Sequence, residues 1–284
     1  MASLKDLRRR IRATKSMQQI FKAMEMVSAA KLRRAQSRAQ AASPYSVKIS
    51  AMLDNLAGAA AELEHPLFKA REVRKTALVL VSSDRGFAGA YNTNIMRVAE
   101  ARMRAAEPGS IVLVALGRKA RDYMKRRGHP VLSAHTELPG EASLDFARTL
   151  TRELIDRFTS GEVDRVELIY SHFVNAMVRK IETKVFLPVG TEGKAGAPDR
   201  GTIFEPDAET IFAELLPRYT TAKLYASMAD ALASEHSARM VAMGSARKNA
   251  GELVDSLTLT RNRMRQAAIT KEIAELVGGA EALK

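Results

Sequence analysis

A chain of 284 residues with 46% apolar content can form one large domain or two small ones around a real core. It has no cysteine, which excludes disulfides and thiolate chemistry, and its 5% aromatic content without tryptophan points to packing by Ala, Met and Leu, as in long helices. The net charge of +13 favours an acidic partner (nucleic acid, an anionic membrane face or an acidic protein surface), and no apolar run approaches the roughly 20 residues of a membrane span.

The charge is concentrated at the start. Residues 1–40 hold eleven Lys or Arg against Asp6 and Glu25. Ser3 is placed to cap a helix beginning at Leu4, with Asp6 three residues on, where a carboxylate favours the helix N-terminus. Leu4, Leu7, Ile11, Met17, Phe21, Met24 and Val27 follow at spacings of mostly three or four, the stripe of an amphipathic helix. Leu4 to Met26 has the Arg-rich amphipathic character of a transit peptide, but the stripe runs on unbroken, so it reads as mature structure. Pro44 is expected to kink or break the helix. His65-Pro66 ends the arm, which would span roughly 80 Å if straight.

From Lys75 the pattern changes. Strands are expected at Thr76–Ser82, Ile111–Leu116, Val131–Ala134, Val166–Ser171 and Ile181–Pro188. Helices are expected at Asn94–Ala106, Arg118–Arg127 and Ser143–Thr159, the last capped by Ser143. This alternation predicts an open, largely parallel α/β sheet of Rossmann-like type over residues 75–205. Gly190–Gly201 reads as a mobile surface loop.

The last stretch, Glu205 to Leu283, reads as a very long helix, capped by Asp207 and broken once at Pro217. It would reach roughly 100 Å and needs a partner for most of its length. Gly244 and Gly251 fall mid-helix, each costing about 1 kcal/mol relative to Ala, so something should pass close to the backbone there. The predicted fold is therefore α/β: a long antiparallel coiled coil of the N-terminal helix (1–65) and the C-terminal helix (206–284), with the α/β domain inserted between them.

Site motifs are sparse. Ser82–Asn92 lies between a strand and a helix, where dinucleotide-binding folds hold phosphate, but Gly86 and Gly89 give GxxG rather than GxGxxG. A tight strand-to-helix turn is the better reading, and no cofactor is expected. The histidines at 65, 129, 135, 172 and 236 show no metal-ligand spacing, and no nucleophile–base pair can be read. A basic coiled-coil scaffold for nucleic acid is the alternative function. Against it, no regular leucine heptad follows the basic arm, and aromatics for base stacking are few.

Three stretches carry a family resemblance. Leu4–Gln36, "LKDLRRRIRATKSMQQIFKAMEMVSAAKLRRAQ", "SSDRGFAGAYN" at 82–92, and "SEHSARMVAM" (234–243) with "NAGELVDSLTLTRNRMRQAAITKEIAELVGGA" (249–280) resemble the γ subunit of F-type ATP synthases, in order and across the chain. Ala88 stands where many relatives have Cys, and the Cys-containing insertion of the chloroplast branch is absent. The resemblance implies a non-catalytic rotor shaft inside a hexamer of α and β subunits. Its α/β foot would lie against the ε subunit and the c-ring, and turning would drive ATP synthesis or hydrolysis in β. With no transit peptide read, it implies a bacterial form at the cytoplasmic face of the plasma (inner) membrane, peripheral and held through Fo. On such a shaft, Lys and Arg of the upper part are expected by their charge to face acidic loops of β, with Arg8, Arg9, Arg10, Arg12, Arg33, Arg34 and Arg261 as the candidate partner contacts to the hexamer. The resemblance implies that Met24 lies where the N-terminal helix passes those loops. Arg239, Gln266 and Thr270 match positions contacting the hexamer or the facing helix. An apolar tip, Ala267 to Leu283, would turn in an apolar sleeve.

Overall fold

The computed structural model describes residues 3–60, 65–68, 71–190 and 208–281. The expected loop beyond Gly190 and the expected Asp207 cap lie outside the described residues. The chain divides into two compact units, Met1–Ser28 with Met240–Lys284, and Ala29–Arg239.

The larger unit is built on a five-stranded sheet in the order β3-β2-β1-β4-β5. β1 (Thr76–Val81) and β2 (Ile111–Leu116) are buried at every position. Continuous apolar runs such as these suit central parallel strands covered on both faces. β1 pairs in parallel with β2 on one side and with β4 (Arg165–Phe173) on the other; β3 (Val131–His135) continues the parallel set beside β2. β5 (Arg179–Leu187) returns antiparallel to β4 after a five-residue connection, 174–178. That link is too short for the crossover a parallel strand would need.

Alternation along the strands divides the core. Ala77, Val79 and Val81 face α4 (Leu144–Thr159), whose Leu150, Leu154 and Phe158 are fully buried, together with Leu216, Leu224 and Met228 of the closing helix α5 (Ala208–Glu281). Leu78 and Leu80 face α2 (Tyr91–Arg104) and α3 (Arg118–Arg126) through Ile95, Met96, Ala120 and Met124. Each such large side chain contributes about 1.5–3 kcal/mol by leaving water. Ser143 caps α4 as expected, accepting from Phe146 N–H at 3.3 Å.

α1 runs from Leu4 to Ala60 and α5 from Ala208 to Glu281, each as one element with its proline, Pro44 or Pro217, inside. The expected breaks do not occur. A proline removes one hydrogen bond and crowds one carbonyl, a local cost of about 3 kcal/mol. At Pro217, fully buried Leu216 anchors the helix to the sheet, and the Pro217 carbonyl accepts from the Thr221 hydroxyl at 2.7 Å.

The smaller unit consists of the first part of α1 and the last part of α5. Ser3 and Asp6 form a reciprocal cap: Asp6 N–H donates to Ser3 Oγ at 3.1 Å, and the Ser3 hydroxyl donates to Asp6 Oδ2 at 2.8 Å. The Ser3 bond holds the Asp6 carboxyl below the usual carboxylate range. Leu7, Ile11, Ser28, Met243, Ala250 and Val254 form its buried seam.

Candidate functional site

The turn after β1 is held by its own polar side chains. Ser83 N–H donates to Asn92 Oδ1 at 3.1 Å. The Asp84 carboxylate accepts from the backbone N–H groups of Arg118, at 2.8 Å, and Leu138, at 2.7 Å. The Ser82 hydroxyl donates to Leu116 O at 2.8 Å and accepts from Ala120 N–H at 2.9 Å. This tightness requires Gly117, whose φ is +92° and where a Cβ would lie 2.5 Å from Ser82 O. Phe87 sits at the tip in the left-handed region, φ 61°, with 70% of its surface exposed.

In a sheet of this order the crevice for a dinucleotide opens beyond the carboxyl ends of the strands where the order reverses, here between β1 and β4. The chain's own α5 takes that place. Tyr91 O–H donates to Ala231 O at 3.2 Å. Asp230 accepts from Phe173 N–H at 2.9 Å and lies 2.5 Å from His172 Nδ1, both at the end of β4. The Ser237 hydroxyl donates to Ala176 O at 2.7 Å, and Arg239 donates to Gly86 O at 3.3 Å and to Glu235 at 2.6 Å. The turn is a docking point for α5, in keeping with the tight-turn reading of 82–92. Burial pushes the Tyr91 phenol and the Glu235 carboxyl up. Burial, helped by the Arg239 and Lys31 charges, lowers the His236 imidazole to about 4.

The residues expected to meet partners fall into two groups. Arg8, Arg9, Arg10 and Arg12 are exposed on the first turns of α1, with Arg9 paired to Asp6 at 3.0 Å. Met24 is half-buried one residue before Glu25. Arg261 is half-buried against Asn262, and Gln266 and Thr270 are exposed one turn apart, the Thr270 hydroxyl donating to Gln266 O at 3.0 Å. All of these belong to the smaller unit. Arg33, Arg34 and Arg239 belong to the larger one. Arg33 and Arg34 are exposed, whereas only 11% of the Arg239 side chain is, because Glu235 and Gly86 engage it.

Sequence reasoning missed Gln18, Glu25 and Arg247. Arg247 Nε donates to Glu25 at 2.8 Å across 222 residues of chain, a separation no local pattern reveals. It also missed Asp230 and His172, which carry no motif. Among the described residues no three His, Asp or Glu side chains converge where a metal ion could sit.

The family model described as ATP synthase matches residues 3–283. The chain is 47% identical to the ATP synthase gamma chain of Desulforamulus reducens over 286 residues and 38% identical to that of Staphylococcus epidermidis over 288, each match covering both chains completely. Its fold is similar to a chain in the Euglena gracilis mitochondrial ATP synthase OSCP/F1/c-ring structure, with TM-score 0.72, 19% identity and 99% and 94% of the two chains covered. It is also similar to one in the Tetrahymena thermophila mitochondrial ATP synthase central stalk/c-ring structure, with TM-score 0.64, 23% identity and 80% and 99% covered. These relatives favour the rotor reading over the nucleic-acid scaffold. On a match that runs from one end of the sequence to the other, the chain belongs to the ATP synthase gamma-chain family.

Proposed function

We propose that this chain is the central rotor shaft of an F-type ATP synthase, coupling proton-driven rotation of the c-ring to conformational change in the β subunits. The observation that carries this reading is the uncovered end of α5. Leu259, Ile269, Ile273, Leu276 and Val277 are 48–74% exposed along a helix whose own seam ends at Val254. An exposed apolar stripe of this length at a helix end needs a surrounding partner, and an apolar sleeve has no directional bonds to lock one angle.

In this reading the arms 1–65 and 206–284 form the shaft, and the domain 75–205 forms the foot against the ε subunit and the c-ring. The chain itself is non-catalytic. It lies peripherally at the cytoplasmic face of a bacterial inner membrane and is held there through Fo; none of its described helices is long and apolar enough to cross a membrane. Arg8, Arg9, Arg10, Arg12, Arg33, Arg34 and Arg261 face acidic loops of β, with Met24, Gln266 and Thr270 at the passing surface. Coupling then equals the difference in interaction free energy between the shaft and β in its successive conformations.

Co-expression with α and β subunits from the same source, followed by native mass determination, tests this. A complex of three α, three β and one copy of this chain is expected. A hexamer that assembles while this chain stays alone or forms a homodimer overturns the reading.

A further inference from the structure

Within the larger unit, α1, the loop before α4 and α5 line a partly open cavity of about 160 Å³. Lys31, Arg34 and Arg38 face it from α1, Glu141 from the loop, and Leu232 and His236 from α5. Arg38 pairs with Glu141. Among the described residues Lys31 and Arg34 have no carboxylate within ion-pairing distance. The charge of Lys31 acts at longer range on Glu235 and His236, and Glu235 is already paired with Arg239 at 2.6 Å.

His236 is only 6% exposed. Its Nδ1 accepts from Arg239 at 3.4 Å, so the neutral ring carries its proton on Nε2 and keeps a donor there. Three cations and one carboxylate leave two net positive charges around a small space with an apolar wall. The side chains of Lys31, Arg34 and neutral His236 offer donors there. The charge matches a dianion, and Arg and Lys together give the forked and point-charge contacts that phosphate takes. The space is well below the size of a site that encloses a whole nucleoside.

We propose that this cavity is a binding site for a phosphoryl dianion, either inorganic phosphate or the terminal phosphate of a small phosphorylated metabolite. The bound anion bridges Lys31 and Arg34 of α1 to His236 of α5 and so ties the two helices together beside the 140–142 loop. This goes beyond the rotor reading and does not depend on it, but it takes Arg34 out of the set that faces β.

The test is equilibrium dialysis of the full chain against ³²P-labelled inorganic phosphate at low ionic strength. The expected result is saturable binding of about one phosphate per chain at about 1 mM or below. The double variant Lys31→Gln/Arg34→Gln should weaken it at least about tenfold. Lys125→Gln/Arg126→Gln removes the same charge from an exposed part of α3 in the same unit, and should leave binding within about twofold. Competition by ADP at lower concentration than phosphate supports the site and assigns it to a nucleotide's terminal phosphate. The His236 ring resonances give an independent readout in the unsubstituted chain. Phosphate should raise the titration midpoint from about 4 toward the ordinary 6.5, because a bound phosphate anion, singly or doubly charged, favours the imidazolium against burial and the charges of Arg239 and Lys31. Absence of saturable binding up to about 10 mM, equal weakening in both double variants, or an unmoved His236 midpoint each overturns the proposal.

Discussion

Gly251 brings the backbone of α5 against the side chain of Gln18: a Cβ placed there would lie 2.9 Å from Gln18 Nε2. Seven residues earlier on α5 and seven later on α1, a Cβ on Gly244 would lie 3.2 Å from Glu25 Oε1. The opposed spacing is the register of an antiparallel pair, with a glycine at each crossing of a long polar side chain.

The two glycines should differ in tolerance. Gln18 Nε2 is the far end of a flexible side chain and can move aside. Gly251→Ala therefore gains helix propensity of about 1 kcal/mol against a small rearrangement, and thermal unfolding of the full chain should show no loss of stability. Glu25 is tethered to Arg247 at 2.8 Å, so Gly244→Ala must disturb that pair and should be less stable than Gly251→Ala by about 1 kcal/mol. The pair is partly exposed, and a Glu25→Ala/Arg247→Ala double-mutant cycle should give a coupling of about 0.5–1 kcal/mol that falls as salt is raised.

Arg239 is expected to be a large determinant of stability. Its side chain and that of Glu235 are 11% and 12% exposed. Arg239→Ala leaves a buried carboxylate unpaired and frees Gly86 O, so denaturant unfolding should show a loss of about 3–5 kcal/mol. Arg239→Ala/Glu235→Ala should recover part of it. Additive losses would mean that the pair contributes nothing as a unit.

His236 should make the chain acid-sensitive. Its folded value is about 4 against the ordinary 6.5. Between those values the unfolded chain holds a proton on this ring that the folded chain does not. Stability is therefore fully present above pH 6.5 and falls as pH is lowered toward 4, by roughly 1–3 kcal/mol. The Glu235 carboxyl, raised by burial, acts in the opposite sense and softens the acid end. Denaturant midpoints measured from pH 7 down to 4.5 should fall less steeply in His236→Gln.

Met24→Lys tests the shaft function. The new ammonium would stand beside Glu25 on a half-buried face that, by family resemblance, passes the β loops. An added interaction of about 1 kcal/mol in one rotary position unbalances the three, so ATP-driven proton pumping should drop severalfold while the complex still assembles. Normal pumping by the variant would remove Met24 from the coupling surface.

The amino-acid sequence by itself determined the elements whose causes are local. The all-apolar run Ile111–Leu116 is a strand with those bounds, Ser3 and Ser143 cap the helices they precede, and the glycines at 244 and 251 mark close approaches. Propensity, capping and period act over a few residues and are readable there. The tertiary structure decided what depends on distant partners. Pro44 and Pro217 lie inside continuous helices, and at Pro217 packing of Leu216 on the sheet accompanies a local cost that the sequence alone made look decisive. Arg239 is engaged by Gly86 and Glu235, Asp230 closes the end of β4, and Glu25 meets Arg247 across 222 residues. Those contacts arise only once the sheet and the two long helices have brought remote segments together, and no periodicity in the chain encodes them.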